Sequence, residues 1–141
     1  MKSERIEKKI FLNEKKTKWC RCIVFKNKVD MQDFYKNEIP DDVGHYKTEG
    51  VSIHYERYVQ NKLSGETGKV LLHFYSCSAP TTTHELLHAV LYAYKHKKNK
   101  VQYPIIIKGI KEEEEILHNL SFAVNQFYKW YWKKVAPKFN G

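Results

Sequence analysis

The chain has 141 residues and a formal net charge of +9, with 29% charged, 42% hydrophobic and 14% aromatic residues. This length suits one hydrophobic core rather than two full domains, and the aromatic share, led by ten Tyr, excludes a disordered polymer. A positive balance attracts nucleic acid, anionic membrane or acidic partners, but the lysines are dispersed over Lys8 to Lys18, Lys95 to Lys100 and Lys133 to Lys138 with no sharp nucleic-acid motif among them.

A single domain over 1–141 is expected, flexible at about 1–15 and 135–141. Met1 to Lys9 is charged and has no apolar stretch of signal-peptide length, and no run of about 18 apolar residues could span a membrane. The cytoplasm is the expected compartment, with no membrane partner. Cys20, Cys22 and Cys77 are an odd number without an export signal, so we expect buried thiols and no disulfide.

Lys18 to Lys26 reads as a largely buried first strand. Asp30 is placed to cap a short helix running to about Glu38 and ended by Pro40-Asp41-Asp42. Val51 to Val59 and Lys69 to Tyr75 read as strands of a hairpin joined by the turn-rich Leu63-Ser-Gly-Glu-Thr-Gly68. Pro80 fits the first turn of a helix that runs to about Lys97 and packs through Leu87, Val90, Leu91 and Tyr94. After Asn99, a connector with Pro104, Ile105 to Ile107 and Gly109 leads to a last helix over about Lys111 to Lys134. Its core face is expected to pass through Leu117, Leu120, Val124, Phe127 and Tyr131. The aromatic and basic run Phe127 to Lys134 is read as a packing anchor, with Trp130 and Trp132 flanking.

The segment with specific chemistry is Thr83-His84-Glu85-Leu86-Leu87-His88. Its H-E-x-x-H form sets two imidazoles about 6 Å apart on one face of a helix, where both can hold one ion. No charge or Pro other than the motif's own interrupts the run from Thr81 to Tyr94, which suits a helix beside a metal. Glu85 sits beside the ion rather than on it, placed to take a proton from a zinc-bound water and pass it to a leaving amine. Two His need a third protein donor, with one position left for water. The run Glu112 to Glu115 opens the last helix, where the macrodipole also favours acids. Glu115 is the expected third ligand, with Glu114 and His118 as alternatives. His118 could otherwise orient a carboxylate. His73, Tyr75 and Tyr55 on the hairpin are candidate oxyanion partners, and the outer strand could align an extended peptide by backbone pairing.

A strand pair, an H-E-x-x-H helix, a connector and a Glu-rich start to a second helix together resemble the minimal zincin core. Over about Val51 to Tyr131 the chain is similar to the short zincin-like proteins of bacteriophages, and more remotely to ImmA-type peptidases that cleave phage repressors. The resemblance implies an α+β fold in which a small antiparallel or mixed sheet packs on the H-E-x-x-H helix and a C-terminal helix. It also implies Zn2+ held by His84, His88 and Glu115, with Glu85 as the general base cleaving a protein or peptide substrate, in the host cytoplasm if phage-encoded. His118 and Asn119 depart from the Ala and aromatic residue often found at those places. No G-x-x-H or Met-turn continuation follows His88, which sets metzincins aside, and the second Cys pair of SprT-like proteases is missing from the sequence. Two other classes stand beside the peptidase: a catalytically silent accessory or structural protein on a zincin fold, and a basic nucleic-acid-binding protein.

Overall fold

The computed structural model describes residues 4–40, 49–96 and 105–140. The elements run β1 (Arg5–Phe11), β2 (Trp19–Phe25), α1 (Lys28–Glu38), β3 (Gly50–His54), β4 (Tyr58–Val59), β5 (Lys62–Leu63), β6 (Glu66–His73), α2 (Ala79–Lys95), α3 (Gly109–Trp130) and α4 (Ala136–Asn140). Strand order in the main sheet is β1-β2-β6-β3; β1 and β3 pair antiparallel to their neighbours, while β2 and β6 are parallel. The small β4–β5 hairpin stands apart. This is a mixed α+β fold with a small mixed sheet.

The two central strands are apolar on both faces, and a sheet of that kind needs cover on both sides. Successive side chains point to opposite faces, so Cys20, Cys22, Val24, Val70 and Leu72 form one core with α2 and α3. Ile23, Phe25 and Leu71 form the other with Met31 and Tyr35 of α1. Phe127 of α3 is fully buried in the first core, where an aromatic side chain contributes about 2–3 kcal/mol.

Side chains close the ends of these elements. The amide of Gln126 accepts from the Phe11 N–H (2.9 Å) and donates to the Phe11 carbonyl (2.8 Å), joining α3 to β1 as a strand neighbour would. Lys18 Nζ donates to the carbonyls of Ala93 (2.6 Å) and His96 (3.2 Å), supplying charge and donors to the C-terminal turn of α2.

Several expectations change. Arg5–Phe11, within the stretch expected to be flexible, is the strand β1, paired along its length with β2. The C-terminal stretch from 135 is also packed: Val135 and Phe139 enter the first core. Between α3 and α4 the chain takes a π-helical turn over Tyr131–Val135, which shifts helical phase and turns those two residues inward. The buried face of α3 runs through Ile116, Ala123, Phe127 and Trp130, while Leu117 is exposed and Leu120, Val124 and Tyr131 are at the margin. Ala123 lets α3 approach closely, and the inward stripe rotates toward it. Trp130 is thereby a core residue, whereas Trp132 is 68% exposed. Asn27, not Asp30, is the N-cap of α1; Asp30 lies in its first turn. The hairpin pairs β3 with β6, but β3 ends at His54 and the β4–β5 hairpin intervenes before β6. Asp41, Asp42, Lys97, Asn99 and Pro104, named above at element ends, lie outside the described residues.

One buried carboxylate ties this side of the sheet together. Glu66 accepts from Arg21 Nε (2.9 Å), Arg57 Nη1 (3.1 Å) and the Tyr55 hydroxyl (2.5 Å). Burial pushes its carboxyl up, but these bonds and the Arg21 charge outweigh it and hold the group below the usual carboxylate range. A carboxyl depressed on folding stabilises the fold above its unfolded value, and that stabilisation is lost as pH falls through the lower folded value. Stability should therefore decline below the ordinary carboxylate range of about pH 4.5. Glu66→Gln should cost ~3 kcal/mol at neutral pH and flatten the acid-side decline, as read by denaturant midpoints from pH 3 to 7; an unchanged midpoint at pH 7 would contradict this role.

Candidate metal centre

α2 starts after Ser78 with Pro80 in its first turn, where the missing N–H is harmless. Leu86, Ala89, Val90 and Ala93 face the core. That phase leaves His84 and His88 exposed side by side, one turn apart, with Glu85 rotated toward the sheet and buried.

The two imidazole Nε2 atoms lie 3.2 Å apart, with ring centroids at 4.8 Å and planes at 79°. Two nitrogens each about 2.0–2.1 Å from a tetrahedral zinc would be about 3.3 Å apart, close to the spacing of this pair. Ligand atoms of His84, Glu85 and His88 all lie within 4.8 Å of one another, and among the described residues this is the one such group of three or more His, Cys, Asp or Glu.

β3 positions Glu85. Gly50, Ser52 and His54 alternate onto the helix-facing side of β3. The Ser52 hydroxyl donates to the Glu85 backbone carbonyl (2.7 Å) and lies 3.4 Å from its Oε1. Burial raises the Glu85 carboxyl above the usual range, while the charges of His84 and His88 and the Ser52 hydroxyl work in the opposite direction. A carboxyl raised in this way is a stronger proton acceptor once ionised.

The same face of β3 carries His54, which sequence reasoning passed over. Its ring stacks on Tyr92 (4.6 Å between centroids, 8° between planes), and Tyr92 follows His88 by one helical turn. Burial, with the charge of His88, pushes the His54 imidazole down to about 4. The available signal was the alternation Gly50-x-Ser52-x-His54, which puts a third imidazole on the side that meets α2.

Of the residues expected from α3, Glu115 and His118 have other partners. Glu115 accepts a hydrogen bond from the Tyr94 hydroxyl, and Glu112 pairs with Lys95. Tyr94 lies six residues beyond His88, about 9 Å of helix rise. Glu114 is exposed, and His118 pairs with Glu14 at 2.5 Å on the surface. None of Glu115, Glu114 and His118 belongs to the 4.8 Å group. Of the expected oxyanion partners, His73 pairs with Glu49 (2.6 Å), Tyr55 is bonded to Glu66, and Tyr75 is 85% exposed beyond the end of β6. Leu87 and Leu91 each follow a motif His by three residues. With Ile107, Ile110, Ile116 and Leu117 they line an open apolar hollow of about 480 Å³.

No family model, curated protein or solved structure matches the chain. Among the described residues, no helix is long and apolar enough to cross a membrane.

The tightness of the β3–α2 contact can be tested at Gly50. A Cβ there would lie 2.9 Å from Leu72 Cδ2 and 3.2 Å from Glu85 Cγ, so something must move. Gly50→Ala should destabilise by ~1–3 kcal/mol, read as a lower denaturant midpoint, whereas a midpoint equal to the parent's would mean β3 sits looser on α2 than this contact implies.

Proposed function

We propose that the chain is a zinc-dependent peptidase with a minimal zincin-type arrangement. The observation that carries this reading is the 3.2 Å spacing of the His84 and His88 nitrogens beside the buried carboxylate of Glu85. A closed structural zinc site has four protein donors, whereas two His and a neighbouring acid leave room for water and substrate.

Zinc, when bound, supplies Lewis acidity that polarises a carbonyl and acidifies water. His84 and His88 would hold the ion, with the remaining protein donor coming from α3 or β3. Glu85 is the general base: it accepts the proton of the attacking water and returns it to the departing amine. Ser52 keeps the Glu85 backbone in register with β3. Among the described residues no strand pairs with the outer edge of β3, beside the motif helix. An extended peptide could add there by backbone hydrogen bonds, with an apolar side chain entering the hollow beside Leu87 and Leu91.

The purified chain is expected to bind one Zn2+, measured by elemental analysis and titration calorimetry. His84→Ala and His88→Ala should each abolish tight binding. Glu85→Gln should keep the metal and lower cleavage of a peptide library by ~10²–10⁴-fold. Metal binding without cleavage of any peptide would overturn the peptidase reading in favour of a silent binding module. Steeply salt-dependent nucleic-acid binding without metal would overturn it in favour of the basic-surface alternative.

A further inference from the structure

We propose that His54 of β3, rather than an acid of α3, is the third protein ligand of this centre. The inference rests on the reading of His84 and His88 as a metal pair. It is carried by where β3 and α3 meet α2.

His84, His88 and Tyr92 form one row on α2, each a turn from the next. The His54 ring lies face-on against the last member of that row, with nearly parallel planes. In a face-on stack the ring nitrogens point sideways rather than into the partner. Among the described residues, neither His54 nitrogen has a hydrogen-bond partner, whereas His73, His96 and His118 are each paired with a carboxylate. Its ring nitrogens are thus not committed to a protein acceptor or donor and are free to bind an ion.

Its backbone is also anchored. Two residues earlier, the Ser52 hydroxyl holds β3 to the carbonyl of Glu85, inside the motif itself. With the backbone held there, any approach of His54 to an ion falls to its side-chain torsions. Two acids of α3 start from a worse place: Glu112 and Glu115 are bonded to Lys95 and Tyr94, toward the far end of α2. His54 stands outside the 4.8 Å group, so ligation requires its ring to turn off Tyr92 toward His88. The resulting donor set is three imidazoles with Glu85 as the adjacent acid, a set zinc accepts with one position left open.

The test is Zn2+ binding by competition titration, together with the visible spectrum of the Co2+-substituted full chain and the imidazole 15N shifts. His54→Ala and His54→Phe should both weaken Zn2+ by more than ~100-fold, beyond the ~10–100-fold that loss of a group merely orienting a ligand costs. The Phe variant keeps a ring against Tyr92 and so guards against loss of fold as the cause. In both, the Co2+ bands should change, and Zn2+ should move the His54 ring nitrogens of the parent together with those of His84 and His88. Glu115→Gln, Glu114→Gln and His118→Ala should bind within ~3-fold of the parent. If the His54 variants bind like the parent, or if the Glu115 variant alone loses Zn2+, the assignment is wrong. A parent that binds no Zn2+ overturns this assignment and the metal centre together, while one that binds through His54 yet cleaves no peptide overturns only the peptidase reading.

Discussion

The contact between β3 and α2 sets the surroundings of His84, Glu85 and His88. Gly50 lets the strand come close enough to pack on Glu85 Cγ and Leu72, and Ser52 fixes the approach with a hydroxyl on the Glu85 carbonyl. With that distance set, Glu85 is pressed under the strand while His84 and His88, one helical face away, remain open to solvent. A carboxyl removed from water thus lies next to two imidazoles that are not. A wider gap would rehydrate Glu85 and leave three polar side chains on a surface helix.

The rest of the fold serves that contact. β6 carries β3 on one edge and β2 on the other, and the apolar faces of β2 and β6 force helices onto both sides of the sheet. Lys18 caps α2 from the β2 side, and Gln126 fastens α3 to the first strand. The buried carboxylate of Glu66 is compensated by two arginines and a tyrosine. The high net charge takes no visible part in the centre. Its lysines lie along several elements, and some pair with local acids, as at Lys69 with Glu38 and Lys95 with Glu112.

The differences from the sequence expectations share a physical origin. A helix face is defined by period, but its exact azimuth depends on what it packs against, and Ala123 drew α3 inward on a line one residue from the expected one. The β1 strand escaped notice because Glu7, Lys8 and Lys9 give it the composition of a loose tail, while its stability comes from pairing with β2, a long-range effect. His54 was overlooked for the same reason: its neighbours in space are Tyr92 and His88, more than thirty residues away in the chain.

By itself the sequence determined the pairing of His84 and His88 on α2, because spacing of four on a helix brings two imidazoles together whatever the surroundings. It also determined the buried central strands and the presence of a long amphipathic C-terminal helix, since these follow from local periodicity. Tertiary structure alone decided which side of α2 meets β3, how deeply Glu85 is buried, and which side chains from other elements stand near the pair. Those outcomes depend on the approach of segments far apart in sequence, which is set by packing and not by any local pattern of residues.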